Sequence, residues 1–334
     1  MSATMRRIAR HDYGPPEVLR LEQAPRPEPG PGQVLIRVRA TTVNYGDLLA
    51  RDFRSVGPSR FNMPYPLLLL SRLYFGLRRP RQPVLGSEFS GVVEALGSDV
   101  DRFAPGDRVL GYTGQAMGGY AEYLGVKEDG VLAPAPESMT HEQAAAFPYG
   151  AITAVALLRG VEMKGRSVLI VGASGGIGSY AVQLAKHAGA QVTGVCGTAR
   201  VERVRALGAD HVVDYTREDF TASGVRYHLI LDVLGRRSVP HVRSSLTHDG
   251  LYLLASFKTP QLAWALRTRF GSGPRVRCVM TGQTREDLLE AVTLAEAGAL
   301  VPRVDRTFPL EEAAAAHRYA ESHGRSGTVV LTVG

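Results

Sequence analysis

GASGGIG occupies residues 172–178. The apolar run SVLIV (167–171) leads into it, and SYAVQLAKHAGA (179–190) follows. The glycines therefore stand at a strand-to-helix corner. Two readings compete: a phosphate cradle, or a tight turn that needed small residues. Backbone N–H groups at a helix N-terminus are unpaired and partly positive, so they bind a pyrophosphate. Glycine lets the phosphate approach with no Cβ in the way. The spacing is G-x-x-G-x-x-G, a variant of the usual fingerprint, so the surrounding chain has to decide.

After about residue 130 strands and helices alternate. THEQAAAFPYGAITAVALLRG (140–160) predicts a helical region, AQVTGVC (190–196) a strand and VERVRALGA (201–209) a helix. Further apolar runs begin at His211, Tyr227 and Gly250. Continuous apolar strands between helices predict a parallel sheet covered on both faces. In that setting the corner reads as a dinucleotide site, with Gly172, Ala173, Ser174, Gly175, Gly176, Ile177 and Gly178 around the pyrophosphate. Before residue 130 the chain reads as β-rich. GQVLIRVRATTVN (32–44) alternates apolar and polar residues, and SGVVEALG (90–97) and DRVLGY (107–112) are short strands. REDLLEAVTLAEAG (285–298) and LEEAAAAHRYAESHG (310–324) predict late helices. TVVLTV (328–333) predicts a strand that rejoins the first domain. The expected division is residues 1–130, 131–280 and a returning segment 281–334. The 334 residues suffice for two cores.

The end of the next strand selects the nucleotide. An NAD site usually places Asp or Glu there, about 20 residues past the glycines. This chain has Cys196-Gly197-Thr198-Ala199-Arg200. With no carboxylate in that run, and with Thr198 and Arg200 able to bond a 2′-phosphate, NADPH is the expected cofactor. Arg200 as a solvated residue at a helix start stays open.

Composition narrows the function classes. Hydrophobic residues make up 44% and charged residues 21%, ordinary for a globular protein. The start MSATMRRIARHDYG is too polar for a signal peptide. PYPLLLLSRLYFGL (64–77) is too short to span a bilayer and carries Arg72. A cytoplasmic location with no membrane partner is expected. Cys196 and Cys278, the two cysteines, allow one disulfide but no disulfide framework and no four-cysteine zinc knot. The net charge of +7 is carried mostly by arginine, densest in RRPR (78–81) and LRTRFGSGPRVR (266–277). No continuous basic face with aromatic support is visible, so no nucleic-acid partner is expected.

TTVNYGDLLARD (41–52), PVLGSEFSGVVEALGSDVDRFAPGDRVLG (83–111), GGYAEY (118–123) and the glycine corner stand in a particular order and spacing. Together they resemble the medium-chain dehydrogenase/reductases, in the zinc-free quinone oxidoreductase branch, over nearly the whole chain. The resemblance implies an α/β protein with a GroES-like β-rich catalytic domain and a Rossmann doubly wound parallel-sheet domain. It further implies an active cleft between them and a homodimer. Zinc-dependent relatives use a Cys near the NxxD position and a His in the segment matching GSEF. Here those regions hold Thr41, Thr42, Val43, Asn44 and Gly86, Ser87, Glu88, Phe89. Glu88 alone cannot build a catalytic zinc site, which needs about three protein ligands. The nine histidines are scattered without ligand spacing, so no metal is expected.

Without a Lewis acid, an already electrophilic acceptor is the easier target. Quinones and α,β-unsaturated carbonyls fit, because the developing charge moves onto a conjugated oxygen that hydrogen-bond donors can stabilise. The resemblance places Asn44 in the active site, orienting a carbonyl or the nicotinamide; a turn residue closing a strand is the alternative. Asp47 either orients Asn44 and a water or caps the following helix. Tyr45 and Tyr149 are candidate proton donors or packing residues. Thr153 is expected near the nicotinamide, Tyr215 near the adenine or ribose, and Leu234, Gly235, Ser256 and Phe257 at the sheet's carboxyl edge. Arg325 approaches the phosphate or substrate, or is solvated. Residues 53–82 are longer and more apolar than the family's loop; they cap the cleft or line a bulky acceptor's pocket, form a dimer contact, add a plain helix or anchor on a membrane surface. Two other functions stay open: a dedicated enoyl or carbonyl reductase of a biosynthetic pathway, and a non-catalytic NADPH-binding sensor.

Overall fold

The computed structural model describes residues 3–58, 61, 63–322 and 327–334. They form two compact units. The first holds the chain up to Val56, Leu70–Ile152 and the part from Gln283 onward; the second holds Gly57–Leu69 and Thr153–Gly282.

In the first unit β1 (Thr4–Ala9) and β2 (Arg20–Pro25) make an antiparallel hairpin. A larger sheet takes β3 (Gln33–Val43), β4 (Glu88–Leu96), β5 (Arg108–Tyr112), β6 (Tyr123–Lys127) and β7 (Leu132–Pro134). From the far end of the chain it adds β14 (Val304–Pro309) and β15 (Thr328–Thr332). Its order is β14-β15-β3-β4-β5-β7, with β6 also on β3. Side chains of a strand alternate between faces. Val34, Ile36 and Val38 of β3 and Val329 and Leu331 of β15 accordingly share a core with Phe89, Val93, Val109 and Leu132. Helices α1 (Tyr45–Arg51), α3 (His141–Ala145), α9 (Arg285–Glu296) and α10 (Ala313–Glu321) complete the unit. Helices α2 (Tyr65–Phe75) and α4 (Pro148–Leu158) cross the unit boundaries.

The expected boundary at residues 130/131 is corrected to 152/153, and that at 280/281 to 282/283. The cause is pairing: β7 hydrogen-bonds β5, and α3 lies against β3 and β4. Residues 131–152 thus belong with the first unit. Residues 57–69, placed in the first domain by sequence, group with the second.

The second unit runs β8 (Ser167–Val171), α5 (Gly176–His187), β9 (Gln191–Cys196), α6 (Val201–Ala206) and β10 (His211–Asp214). It continues through β11 (Tyr227–Asp232), α7 (Val239–Arg243), β12 (Leu246–Leu254), α8 (Thr259–Thr268) and β13 (Arg275–Cys278). All neighbouring strands are parallel, in the order β10-β9-β8-β11-β12-β13. Counted within the unit this is 3-2-1-4-5-6, the doubly wound dinucleotide order. The order reverses between β8 and β11, where such sheets bind ligands. The arginine-rich stretch 266–277 supplies the end of α8 and most of the edge strand β13.

A buried polar chain ties the first unit together. His317 of α10 is fully buried; its Nε2 lies 2.9 Å from Tyr120 Oη and its Nδ1 3.2 Å from Arg51 Nη1. Arg51 also donates to Glu321 at 2.7 Å. A guanidinium has only donors, so Nδ1 must accept and the ring proton sits on Nε2. Burial, Arg51 and Arg10 push the His317 pKa down to about 3. An unfolded histidine titrates near 6.5. Below that pH the unfolded chain takes up a proton the native ring refuses, so stability is lost as pH falls, at about 1.4 kcal/mol per unit. The unfolding free-energy difference between wild type and His317→Gln, from urea titrations, should therefore shrink as pH drops from about 6.5 to about 4.

Candidate functional site

Asn44 closes β3 and caps α1. Its Oδ1 accepts from Asp47 N at 3.0 Å, and Asp47 Oδ2 accepts from Asn44 N at 3.0 Å, a reciprocal capping box. The Asn44 amide nitrogen donates to Ser87 Oγ at 2.8 Å and to Glu88 Oε2 at 3.0 Å. Both amide hydrogens are spent on these two acceptors, and the residue ends a strand as the alternative reading had it. Asp47 is fully buried and also accepts from Gly86 N at 2.9 Å. It caps the helix and orients Asn44 rather than facing water. Burial pushes its pKa up to about 7, against the pull of the two backbone donors.

The centre of this arrangement is Glu88, the first residue of β4. It is buried and accepts from Thr42 Oγ1 at 2.7 Å, from Asn44, and from Tyr149 N at 2.9 Å. Burial raises its carboxyl above the usual range. One side chain thereby locks β3, the start of α1, β4 and the start of α4. Sequence reasoning treated Glu88 only as an insufficient metal ligand. The available signal was an acid inside LGSEFSGVV, an otherwise uncharged run.

Tyr149 lies beside Tyr112, with ring centroids 5.5 Å apart. Burial raises both phenols, with Glu88 adding to the shift. Among the described residues neither hydroxyl has a protein acceptor. Tyr45, on α1, is half exposed. Among the described residues no three His, Cys, Asp or Glu side chains group to hold a metal, and the two cysteines are free thiols. Glu88 has already committed both oxygens to three donors. This donor set does not fit a catalytic zinc ion.

In the second unit the glycine corner meets the switch point. Helix α5 starts at Gly176, earlier than the sequence suggested, with Gly175 as a cap that offers no side-chain acceptor and no acid in the first turn. Its leading N–H groups have no partner within the helix. Three glycines of this corner differ in purpose. Gly172 has φ +83° and lies under Leu234, while a Cβ on Gly178 would stand 2.1 Å from Gly172 O. A Cβ on Gly176 would meet nothing within 4 Å. The fold therefore needs Gly178, whereas Gly176 keeps open space at a positive helix end. That space fits a dinucleotide pyrophosphate. Ala173 and Ser174 lie in the turn ahead of the helix, and Ile177 and Gly178 in its first turn.

Asp232 ends β11 and accepts from Leu234 N and Gly235 N, both at 2.9 Å, and from Tyr252 Oη at 2.8 Å. Gly235 has φ +61°, and a Cβ there would lie 1.9 Å from Ser256 O. These loops beyond β11 and β12 are thus in contact. Leu234 is partly exposed, but Phe257 is buried in the unit's core, so it cannot offer its ring as a ligand surface. Thr153 is buried with its Oγ1 lacking a partner.

At the end of β9 the expectation of no carboxylate is corrected. Parallel pairing sets Asp214 of β10 opposite Cys196. Its carboxylate accepts from Thr198 Oγ1 at 2.6 Å and from Thr216 N and Oγ1 at 3.0 and 2.7 Å. Those bonds, led by Thr198, lower its pKa. Arg217 lies 3.6 Å from it. Tyr215 is exposed, and its hydroxyl would be 3.2 Å from a Cβ on Gly197, so the ring flanks this loop. Arg200 ends the short 3-10 turn Thr198–Arg200. Arg325 lies outside the described residues.

The alcohol dehydrogenase GroES-like domain family matches residues 30–137, and the zinc-binding dehydrogenase family matches residues 207–331. The mitochondrial NAD(P)H oxidoreductase RTN4IP1 of Mus musculus is 32% identical over 333 residues, covering 91% of this chain and 82% of that protein. The quinone oxidoreductase of Lama guanicoe is 30% identical over 343 residues, covering 98% and 97%. The solved quinone oxidoreductase from Coxiella burnetii superposes with a TM-score of 0.82 at 29% identity, covering 99% of this chain and 100% of that one.

Proposed function

Since the chain belongs to the medium-chain dehydrogenase/reductase superfamily, in its quinone oxidoreductase-like branch, and is an oxidoreductase of that family, we propose that it reduces a quinone or α,β-unsaturated carbonyl with NADPH and without a catalytic metal. The observation that carries this reading is the donor set of the first unit. Where a metal site would need several free ligands, Glu88 is saturated, and the polar groups left over are the phenols of Tyr112 and Tyr149. NADPH, when bound, supplies a hydride.

The chain's own residues do the rest. Gly176 and the first N–H groups of α5 would hold the pyrophosphate, with Leu234 lining the turn at Gly172. The orphaned Thr153 hydroxyl suits the nicotinamide amide. Glu88, through its bond from Tyr149 N and its strand pairing with Tyr112, fixes the tyrosine pair. Burial keeps those phenols protonated across neutral pH, so each can donate to an oxygen that gains charge. A cytoplasmic homodimer belongs to this reading on the strength of the family resemblance. Following NADPH oxidation against quinones, enones and aliphatic aldehydes tests the proposal. Turnover of the conjugated acceptors in the presence of a chelator is expected; brisk, chelator-sensitive oxidation of aliphatic alcohols with NADP would defeat it.

Preference for NADPH rests on Arg200, which ends the turn that Thr198 begins, and on Arg217 beside a carboxylate already engaged by Thr198 and Thr216. Arg200→Asp should weaken NADPH by about 2 kcal/mol, roughly thirtyfold, and NADH far less. Equal losses by titration calorimetry would remove Arg200 as the phosphate reader.

A further inference from the structure

Helix α2 presents a face unlike that of an ordinary surface helix. Its exposed positions are Tyr65, Pro66, Leu69, Leu70, Leu73 and Tyr74, and Leu77 just beyond the helix is exposed as well. This is an i, i+4, i+8 row with its neighbours, one continuous side of the helix. Every residue on it is apolar or aromatic, and Leu70 and Leu77 are each more than 60% exposed. Water normally meets a polar face at these positions. The opposite side is held down: Leu68 is buried, and Arg72 donates to Val56 O at 3.2 Å.

Charge says what covers this face. From Phe53 to Ser87 the sequence holds Arg54, Arg60, Arg72, Arg78, Arg79 and Arg81 and no aspartate or glutamate. Arg78 and Arg79 are exposed immediately after Leu77, and Arg79 lies 3.6 Å from the exposed Asp12, a solvated pair that headgroups can displace. Among the described residues no helix is long and apolar enough to cross a membrane. An exposed leucine row bracketed by tyrosines, with an exposed arginine cluster at its end, matches an in-plane interfacial helix: apolar side in the acyl boundary, cations on anionic headgroups. We infer that α2 and the following arginines dock the protein peripherally on an anionic bilayer surface, against the expectation of no membrane partner and in favour of one alternative the sequence left open for this segment. The inference is independent of the redox reading.

The test is co-sedimentation of the full chain with phosphatidylcholine vesicles, with and without about 40 mol% phosphatidylglycerol. Binding is expected to the anionic vesicles, little to the neutral ones, and much less at about 1 M than at about 0.1 M salt. Leu70→Glu with Leu73→Glu, and separately Arg78→Glu with Arg79→Glu, should each lower partitioning about tenfold or more. Far-UV circular dichroism checks that each variant is folded, and the arginine pair, lying outside the helix, stands if the leucine pair misfolds. Three results overturn the inference: no binding to anionic vesicles at low salt, binding unchanged by both variants, or a homodimer in sedimentation velocity that the leucine variant dissociates. The last outcome would assign the face to a second copy.

Discussion

Glu88→Ala should destabilise the first unit by about 3–5 kcal/mol and abolish turnover. The substitution leaves the Thr42 hydroxyl, an Asn44 amide hydrogen and the Tyr149 N–H facing a cavity without an acceptor. Each stranded donor costs about 1–3 kcal/mol, partly recovered if water enters. The desolvation that raises the Glu88 pKa is relieved at the same time and offsets part of the loss. Glu88→Gln separates folding from chemistry. It keeps the volume but has one acceptor oxygen where three donors converge, so it should fold with a smaller penalty and turn over slowly. Urea unfolding and steady-state NADPH oxidation on both variants provide the comparison. A Glu88→Ala protein with wild-type stability would show that the three bonds contribute nothing net.

The second large effect separates two glycines of the same corner. Gly178→Val should fail to fold or melt far below wild type, because its Cβ would press on the Gly172 carbonyl. The Cβ of Gly176→Val would have no atom beyond its own helix turn within 4 Å, so the variant should melt close to wild type and yet bind NADPH about 100-fold more weakly, some 2.7 kcal/mol. Calorimetric titration beside a thermal melt decides the matter. Unchanged NADPH affinity in a folded Gly176→Val protein would rule out the corner as the pyrophosphate cradle.

These two sites were unequally legible in the sequence. The corner is local: SVLIV, the glycines and the amphipathic run after them follow one another within about two dozen residues, and period and glycine content suffice. Glu88 draws its meaning from Thr42, Asn44 and Tyr149, up to 61 positions away. No spacing rule reaches across such a gap. Asp214 was missed for the same reason, since only the parallel pairing of β10 with β9 brings it to Thr198. The hairpin of β1 and β2 escaped because TMRRIA and RLEQAP are mostly polar or exposed, leaving a faint alternation. Residues 64–77 were visible as an apolar stretch, but which side of it faces water needed the helix itself. Asn44 was singled out, but a motif position does not reveal where its two amide hydrogens go.

The pairing of β15 with β3 bears on how the chain is made. Val43 stands opposite Val329 and Ala40 opposite Thr332, so strands from the two ends of the sequence are nearest neighbours. On a ribosome, most of the second unit emerges and can close its own sheet while β3 still lacks one flank. The first unit waits for the last segment to be translated, with an apolar strand edge open in the meantime. Stop codons that remove residues 328–332 should therefore yield a polypeptide whose nucleotide-binding half is soundly built and whose other half recruits chaperones.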